Sequence, residues 1–569
     1  MTERVHKREL KIVTSIACLT LLATCTPYVA GALTSSPELS FGGVLLLHQE
    51  DVLSYLAAMQ QGARGSWTFR ILYTPEEHEG ALIYLFYLGL GKIAPLLGLS
   101  VIVVYHLARI AAGACELAAI YAFTRRFVKS PPVRTMAYAL ACAGGGLGWL
   151  IAIAQALKHS TGRALVAPCP DRAPIDFWLV DAYTLPTILI FPHGALAVAL
   201  MLTAALCALN YQESGRARSL ISAALLAPAL AIVQPICLGT LAGALGAHLA
   251  LLAWTRKAWP RRKELASAAG VGLTALAAAA YYRHIFSTNP TFSAWQAQNL
   301  TPSPMPLHWL LGYGVILPPA IAEGIHILKE KDERPLFLPA WLLATGVLLY
   351  PPGPQRRFAQ GLIVPTACLA GLGLSRWLGE EPFCELFGFT NSTIVSGRRL
   401  CPGHNLPDRW ITSRFMLELV LTLAILSNIV LVTAHIRGCV TRDEGLFHPA
   451  DRLAAIHWLE RHTSPADTVL ASLESGRFIP ALSGHRTFIG HWCETTDFDT
   501  KARELATFFD FATSDGWRRS FLERYNIAFL LYGPEEKALG GFDPEGAPYF
   551  AECYRQGRYA VYRVKGDSQ

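Results

Sequence analysis

The feature that most constrains the fold is a series of apolar segments, each long enough to cross a lipid bilayer. Hydrophobic residues make up 52% of the 569 positions and charged residues only 16%, whereas soluble domains carry about 25% charged residues. The sequence therefore predicts an α-helical polytopic membrane protein. About eleven segments approach the roughly 20 residues that a 30 Å hydrocarbon core requires: 12–33, 101–124, 134–156, 185–208, 217–234, 236–254, 264–282, 307–328, 335–350, 359–377 and 414–435.

Basic residues cluster in the short loops between these segments. Lys and Arg favour cytoplasmic loops, so we expect a cytoplasmic N-terminus and an outer C-terminal region in a plasma or inner membrane. The net charge of +7 comes from these loop residues. Because they lie in short clusters between apolar segments, we expect no nucleic-acid partner. If the apolar segment 81–98 also crossed the membrane, the basic cluster at 125–134 would lie outside, against this rule. We therefore predict a helix in the membrane surface at 81–98. The clusters lie at 125–134, 216–218, 256–263, 329–334 and 398–414.

The sequence predicts two domains. Residues 1–435 form the transmembrane domain, which includes a first outer loop at 34–100 and a cytoplasmic insert at 379–413. Residues 436–569 are more charged and alternate between helical and strand-like patterns, which indicates an extracytoplasmic α/β domain. In that region we predict a helix at 451–462 and strands at 467–471, 486–489, 527–532 and 559–564.

An acidic pair, Glu50 and Asp51, follows the first span. Carboxylates at the membrane are costly and are usually functional. The amphipathic segment 51–61 predicts a helix that lies in the membrane surface. Adjacent side chains on a helix point about 100° apart, so the two carboxylates are not expected to serve one reacting atom, and Asp51 is the stronger candidate for a general base. The alternative is that Asp51 is only the N-cap of this helix.

Other polar residues in the outer loops are candidates for binding. Glu77 and His78 lie in an acidic stretch at 73–80 that could bind a sugar or a metal. Its spacing matches no standard metal signature, so the metal stays unknown, and a solvated loop is the alternative. Arg356 and Arg357 lie in a short loop that is predicted to be outside, where basic residues are uncommon. Guanidinium groups bind phosphate through paired donors, while pairing with an outer carboxylate is the alternative.

Two residues near the outer ends of predicted spans could join a phosphate site. Arg109 lies about two turns into its span, and His193 follows a proline in Phe191-Pro-His-Gly194. A buried histidine with satisfied hydrogen bonds is the commoner case for His193. In the C-terminal region, the polar turns 475–478 and 490–495 favour local hydrogen bonding over ligand binding. The chain has no P-loop, HExxH or GxSxG motif, so ATP-driven transport, zinc proteolysis and serine hydrolysis receive no support.

The chain resembles the GT-C membrane glycosyltransferases, and it looks most like their bacterial members. This superfamily includes protein O-mannosyltransferases, aminoarabinose transferases and oligosaccharyltransferases. The resemblance covers about residues 1–435 and is carried by the acidic pair, the interfacial helices and the early arginine in Tyr105-His-Leu-Ala-Arg109. Shorter patterns add to it: Gly146-Leu-Gly-Trp149, Phe191-Pro-His193, Gln298-Asn299, Ser303-Pro304 and Gln355-Arg-Arg357.

This resemblance implies transfer of a hexosyl or pentosyl group from a polyprenyl-phosphate carrier to a lipid, glycan or protein acceptor on the outer face. Asp51 would take the proton of the acceptor hydroxyl, Arg356 and Arg357 would stabilise the leaving phosphate, and the anomeric centre would invert. A second acidic motif is found in some members. It has no clear counterpart here, although Asp176 and Asp181 are candidates, so a divalent metal cofactor stays open.

The main alternative is a polytopic transporter or lipid flippase. Such proteins tend to show repeated halves and broken helices that meet near the membrane midplane. The polar residues of this chain concentrate at the outer surface instead. The sequence therefore favours chemistry at that surface over transport.

Overall fold

The computed structural model describes residues 3–158, 174–350, 355–389, 394–395, 398–399 and 409–565. Residues 390–393, 396–397 and 400–408 of the predicted cytoplasmic insert, and residues 159–173 between the predicted spans 134–156 and 185–208, lie outside the described residues. The chain divides into two compact units. One comprises Met1–Pro27, Ala108–Ala279 and Thr301–Arg437; the other comprises Tyr28–Leu107, Ala280–Leu300 and Gly438–Gln569.

The described residues contain a series of long apolar helices, as predicted. Among the described residues, seven helices are long and apolar enough to cross a membrane: Glu3–Thr34, Val101–Phe127, Pro192–Ser214, Pro235–Arg256, Arg262–Thr288, Pro306–Glu330 and Thr412–Thr441. A pair bent by 45°, Pro131–Ala143 and Gly148–Ala154, forms a further candidate span. Three shorter apolar helices complete the predicted set: Ala217–Val233, Phe337–Leu349 and Ile363–Leu378.

Some predicted spans are interrupted. The span predicted at 185–208 consists of two helices, Thr184–Ile190 and Pro192–Ser214. Phe191 between them is extended, because the residue before a proline avoids helical backbone angles. Proline then occupies the first position of the second helix, where its missing N–H costs no hydrogen bond.

The second unit contains two helices of the segment 34–100, which the sequence predicts to be an outer loop: Gln49–Ala63 and Leu85–Leu97. Their backbones approach closely at two glycines. A Cβ atom on Gly62 would lie 2.1 Å from the carbonyl oxygen of Leu88, and one on Gly91 would lie 2.0 Å from that of Met59. Only glycine permits such an approach, so this contact fixes the position of the helix that begins beside the acidic pair.

The C-terminal part of this unit is built on a five-stranded mixed sheet. The strands in spatial order are Arg486–Thr487, Thr468–Leu470, Ile527–Tyr532, Tyr559–Val564 and Phe550–Gln556. The first three strands run parallel to one another. Strand Tyr559–Val564 is antiparallel to both of its neighbours, Ile527–Tyr532 and Phe550–Gln556. The predicted α/β class is confirmed. The helices of this part are Ala450–His462, Leu473–Ser483, Phe498–Phe509 and Asp515–Arg524.

The first-loop helix packs along a helix of the C-terminal region within this unit. Gln60 Nε2 donates hydrogen bonds to the carbonyl oxygens of Ala481 and Leu482, at 3.3 and 3.0 Å. Arg64 Nη1 donates to the carbonyl oxygen of Gly484 at 2.8 Å. These bonds hold helix Gln49–Ala63 beside helix Leu473–Ser483. The acidic pair therefore faces side chains that come from the C-terminal region.

Candidate functional site

Glu50 and Asp51 lie in the first turn of helix Gln49–Ala63. The helix begins two residues earlier than predicted, and its N-cap is His48, which has a left-handed backbone with φ 53°. Asp51 is therefore not the N-cap, and the alternative of a purely capping role does not fit the structure. Carboxylates in a first turn are still stabilised by the helix dipole.

The two adjacent carboxylates have different partners. Asp51 Oδ2 lies 2.9 Å from Nδ1 of His48, and Glu50 Oε1 lies 3.0 Å from Nη2 of Arg477. The Asp51 side chain is 35% exposed and that of Glu50 is 26% exposed. The contact with the imidazole orients the Asp51 carboxylate, which stays partly accessible. An oriented, accessible carboxylate has the geometry that a general base requires.

Residues of the C-terminal region complete the cluster. The Tyr73 hydroxyl donates to the carbonyl oxygen of Arg477 at 3.0 Å, and its ring centroid lies 5.5 Å from that of His491. His491 Nδ1 accepts the backbone N–H groups of Cys493 and Glu494, at 3.2 and 3.3 Å. These bonds place the proton of the neutral ring on Nε2. We call the group His48, Glu50, Asp51, Arg477, His491 and Glu494 the acid cluster.

Burial controls the protonation of this cluster. It raises the pKa of Glu494 to about 8; the Ser54 hydroxyl opposes this rise, and the charges of Asp51 and Glu50 add to it. Burial lowers the pKa of His491 to about 4, against the effect of Asp51. It also raises the pKa of Glu50, although the Arg477 charge opposes this rise. The two most buried groups of the cluster, His491 and Glu494, are therefore neutral at pH 7.

The other candidates of the first loop contact their own surroundings. The Glu77 side chain is 84% exposed and lies 3.9 Å from Nη1 of Arg486. His78 Nε2 accepts the backbone N–H of Ile71 at 3.0 Å, and its Nδ1 lies 3.0 Å from the carbonyl oxygen of Glu76. Both ring nitrogens of His78 thus stabilise the loop, while Glu77 is accessible to a ligand.

Four candidates lie in the other unit. The Arg356 guanidinium lies 5.0 Å from the ring centroid of Trp178, and a short 3-10 helix, Arg356–Ala359, carries both loop arginines. Arg357 is half-buried. Arg109 is buried, and its Nη1 donates to the carbonyl oxygens of Thr24 and Ile188, at 3.2 and 3.0 Å. His193 is the second residue of helix Pro192–Ser214 and lies against Phe191, with ring centroids 5.2 Å apart.

The candidate residues for a second acidic motif have structural contacts. Asp176 Oδ2 accepts the backbone N–H groups of Gly146 and Gly148, at 3.0 and 3.1 Å, and so closes the break in the bent helix pair. The backbone carbonyl of Asp181 accepts the N–H of Gly361 at 3.1 Å. Within the described ranges, no group of three or more His, Cys, Asp and Glu side chains is arranged to hold a metal ion.

Sequence reasoning missed the C-terminal members of the cluster. Arg477 lies in helix Leu473–Ser483, so the turn predicted at 475–478 is wrong, while His491 and Glu494 lie in the segment 490–495, outside helices and strands. Both segments were recognised as polar but were assigned to local hydrogen bonding. The useful signal is that these segments follow the strands 468–470 and 486–487, which are parallel neighbours. Ligands of open α/β sheets bind at the carboxyl ends of such strands.

Comparison with solved structures identifies the fold. No protein-family model matches the sequence, and no curated protein matches it either. The oligosaccharyltransferase of Archaeoglobus fulgidus in its apo form aligns over 95% of this chain and 73% of its own, with TM-score 0.56 and 13% identity. The same archaeal enzyme, AglB, bound to an inhibitory peptide and a dolichol-phosphate, aligns over 95% and 72%, with TM-score 0.55 and 12% identity.

A bacterial structure gives the same result. ArnT from Cupriavidus metallidurans, bound to undecaprenyl phosphate, aligns over 95% of this chain and 97% of its own, with TM-score 0.50 and 13% identity. AglB and ArnT are both GT-C membrane glycosyltransferases. The chain therefore has the GT-C fold, and the resemblance that the sequence indicated is confirmed at the level of the fold. At this identity the likeness extends no further, because unrelated functions can share one fold.

Proposed function

We propose that this protein is a membrane glycosyltransferase that moves a sugar from a polyprenyl-phosphate carrier to a hydroxyl of a lipid, glycan or protein acceptor on the outer face. The observation that carries the proposal is Asp51, a partly exposed carboxylate held by His48 at 2.9 Å in the loop that follows the first span of a GT-C fold. The polyprenyl phosphates bound to AglB and ArnT support the class of carrier.

Asp51 acts as the general base of the proposed reaction. It takes the proton of the acceptor hydroxyl while that oxygen forms a bond to the anomeric carbon of the sugar. The bond between the anomeric carbon and the phosphate oxygen breaks, and the polyprenyl phosphate leaves with the electron pair. Attack from the face opposite the phosphate inverts the anomeric centre, by the geometric argument that applies to other glycosyl chemistry.

Glu50 has a lesser role in this mechanism. Its carboxylate is engaged by Arg477, so it fixes the start of helix Gln49–Ala63 against the C-terminal region instead of accepting the substrate proton. Glu77, which is exposed, is proposed as a sugar contact. His78 is proposed to hold the loop that presents Glu77, since both its ring nitrogens bond to loop backbone.

Arg356 and Arg357 are proposed to bind the carrier phosphate. The Arg356 guanidinium lies against the ring of Trp178, and the planar pair of donors of a guanidinium matches the geometry of a phosphate. Charge develops on the phosphate as it leaves, and fixed cations stabilise that charge most in the transition state. Arg109 and His193 are proposed as further contacts of the same phosphate or of a substrate hydroxyl.

The experiment that tests the function is a transfer assay in membranes that contain the protein, with a panel of polyprenyl-phosphate sugars. Asp51→Asn should reduce transfer by about 10²–10⁴-fold, the usual cost of removing a general base. The amide keeps the volume of the carboxylate and can still bond to His48. Asp499→Asn makes the same chemical change at an exposed carboxylate in the first turn of another helix, Phe498–Phe509; it is the matched control and should retain parental activity.

Two results would contradict this proposal. Near-normal transfer by Asp51→Asn would exclude Asp51 as the base. Movement of intact carrier lipid across the membrane by the parent protein, without any sugar transfer, would favour the transporter or flippase alternative.

A further inference from the structure

The C-terminal part of the second unit has a cleft of about 510 Å³ in its surface. Its walls are helix Asp515–Arg524, the start of strand Ile527–Tyr532 and the end of strand Tyr559–Val564. Pockets that bind small molecules have volumes of about 300–1,000 Å³. The cleft is therefore large enough to hold an organic ligand.

The cleft opens where two neighbouring strands separate. Strand Tyr559–Val564 pairs with strand Ile527–Tyr532 only as far as Arg563. The backbone N–H that follows this strand, that of Lys565, bonds to the carbonyl oxygen of Tyr549 on the other side, at 2.9 Å. The chain thus leaves its neighbour at this point, and residues of both strands line the space between them.

The inner wall of the cleft is part of the hydrophobic core. Leu522, Ile527 and Tyr549 line the cleft and are buried in the core cluster of this region. Their packing fixes the shape of the cleft before any ligand binds, and a preformed site has less conformational freedom to lose on binding. The wall can therefore contact the apolar part of a ligand without rearrangement.

Three cationic side chains surround the opening: Arg519, Arg563 and Lys565. All three are exposed. We call the cleft with these three residues the basic cleft. The Arg519 guanidinium comes from the helix wall and lies 5.2 Å from the ring centroid of Tyr549. Arg563 and Lys565 lie two positions apart at the end of a strand, a spacing that places side chains on one face of a sheet.

Two carboxylates also line the basic cleft, and both have local interactions. Asp467 Oδ2 accepts the backbone N–H of Ser464 at 2.9 Å. Glu523 follows Arg519 by four positions in helix Asp515–Arg524, so these opposite charges are neighbours on the helix surface. The charge of Glu523 thus acts mainly on the cation of its own helix.

The two cations at the strand end have no such neighbour. Within the part of the chain that the structure describes, neither Arg563 nor Lys565 forms an ion pair with a carboxylate. Lys565 Nζ donates instead to the carbonyl oxygen of Pro548 at 3.1 Å. Two positive charges therefore lie together beside the apolar wall without a carboxylate to balance them.

We propose that the basic cleft binds the phosphate monoester group of an organic ligand. Such a group carries a charge of about −1.5 to −2 at pH 7 and three acceptor oxygens, so it balances both Arg563 and Lys565. A carboxylate or a sulfate ester, with a single charge, balances only one of them. The guanidinium binds two phosphate oxygens through its paired donors, and the organic part of the ligand lies against Leu522 and Ile527.

The basic cleft is separate from the acid cluster. Asp467 lines the cleft and immediately precedes strand Thr468–Leu470. His491 follows the carboxyl end of strand Arg486–Thr487, which is parallel to Thr468–Leu470. The cleft and the acid cluster therefore lie at opposite ends of these parallel strands. The inference does not rest on the proposed function, because a ligand in the cleft takes no part in the reaction at Asp51.

Calorimetric titration of the full-length protein in phosphatidylcholine nanodiscs tests the site, with phenyl phosphate as the ligand. The parent should bind phenyl phosphate saturably and should bind phenyl sulfate, which has one charge, more weakly. Arg563→Ala should raise the Kd for phenyl phosphate by about 10–100-fold, as expected for lost hydrogen bonds to a charged group. Arg563→Lys keeps the charge without the paired donors, so its Kd should lie between those of the parent and Arg563→Ala.

Arg558→Ala is the matched control. Arg558 is an exposed arginine just before the other end of the same strand, away from the cleft, so its replacement should leave the Kd unchanged. Lys565→Ala combined with Arg563→Ala should abolish binding. Because both residues are exposed, the melting temperature of this double variant should equal that of the parent, which separates lost binding from lost folding.

A phosphate monoester could belong to a soluble molecule or to a lipid headgroup, and two further nanodiscs distinguish these sources. One contains phosphatidic acid, whose headgroup is a phosphate monoester, and the other contains phosphatidylglycerol, an anionic phosphodiester. If a lipid headgroup occupies the cleft, phosphatidic acid should weaken phenyl phosphate binding by the parent more than phosphatidylglycerol does. An equal effect of the two lipids would assign the cleft to a soluble ligand.

Three results would overturn the proposal. The first is no saturable binding of phenyl phosphate by the parent in phosphatidylcholine nanodiscs. The second is an equal Kd for the parent and the double variant, and the third is a loss in Arg558→Ala as large as that in Arg563→Ala. None of these measurements needs a sugar donor. A failed transfer assay would therefore leave the cleft standing, and a failed titration would leave the proposed function standing.

Discussion

At the scale of single residues, the two neighbouring carboxylates have different partners. Glu50 pairs with a guanidinium that carries a permanent charge, whereas Asp51 contacts an imidazole. Arginine stays protonated at any physiological pH, so the charge beside Glu50 is fixed. An imidazole can exchange protons and orient a carboxylate. The different roles that we propose for the two adjacent acids rest on this difference between their partners.

The two loop arginines give a prediction at the same scale. Lysine keeps the positive charge but loses the planar pair of donors. If one arginine binds the carrier phosphate through both donors, Arg→Lys at that position should reduce transfer clearly, and Arg→Ala should reduce it further. Because Arg356 lies over Trp178, we expect Arg356→Lys to have the larger effect. Turnover and KM for the carrier in reconstituted membranes provide the measurement.

The same variants can refute the phosphate role. A pair that only anchors its loop to anionic lipid needs charge and no particular geometry. Lysine would then replace either arginine without loss of transfer. Parental turnover by both single Lys variants would exclude phosphate binding by Arg356 and Arg357.

The sequence singled out Asp51 as a candidate, and that role stays a prediction, but it gave no indication of the surroundings of this residue. A carboxylate next to the first span is visible in the sequence because charge is unusual there. Arg477, His491 and Glu494 lie in a polar region, where charged residues are common and carry no such signal. Their importance comes from a contact between segments far apart in the chain, and one sequence gives no measure of such contacts. Glu77, His78, Arg356, Arg357, Arg109 and His193 stay predictions until variants are measured.

At the scale of elements, the contact between helices Gln49–Ala63 and Leu85–Leu97 provides a sharp test. A Cβ atom on Gly91 would lie 2.0 Å from the backbone oxygen of Met59, so Gly91→Ala must separate the helices. Overpacking of this kind costs about 1–3 kcal/mol or more. We expect a lower melting temperature in detergent and reduced transfer, because helix Gln49–Ala63 carries the acid pair.

Gly89 in the same helix is the matched control. A Cβ atom there meets nothing within 4 Å, and alanine favours the helix over glycine by about 1 kcal/mol. Gly89→Ala should therefore leave the melting temperature unchanged or raise it. Equal behaviour of the two alanine variants would show that the close approach of these helices does not govern stability.

Regular elements were predicted where the apolar pattern is strong. The four predicted strands of the C-terminal region are present, and the interfacial segment at 81–98 contains a helix. Strand Phe550–Gln556 was missed. It lies at the edge of the sheet and most of its residues are exposed, so it has no buried face to create an alternating pattern. Charged and polar residues are common on such edges, since they prevent pairing with other chains.

At the scale of the whole molecule, the orientation in the membrane is a testable prediction. The basic clusters place the C-terminal region outside. Asp543→Cys, introduced together with Cys553→Ser to remove an exposed native thiol, should react in intact cells with a maleimide that cannot cross membranes. Cys553→Ser alone is the control for labelling elsewhere. Labelling of position 543 only after permeabilisation would reverse the orientation and place the acid cluster on the cytoplasmic side.

This chain has the same fold as AglB and ArnT although their sequences are only 12–13% identical to it. Membrane helices need apolar length and compatible packing, and many residue combinations meet both requirements. A resemblance carried by short polar patterns was therefore sufficient to identify the fold, while function depends on side chains that the fold does not dictate. The domain boundary near residue 435 stays a prediction.

The packing of helix Gln49–Ala63 along helix Leu473–Ser483 has a consequence for synthesis. Gln60 and its acceptor Ala481 lie 421 positions apart. At the usual elongation rate of about 5–20 residues per second, the ribosome needs about 20–80 s to make the intervening chain. During that interval the nascent protein holds Glu50 without Arg477. The acid cluster is therefore assembled late in translation, after most of the chain between its two halves has already left the ribosome.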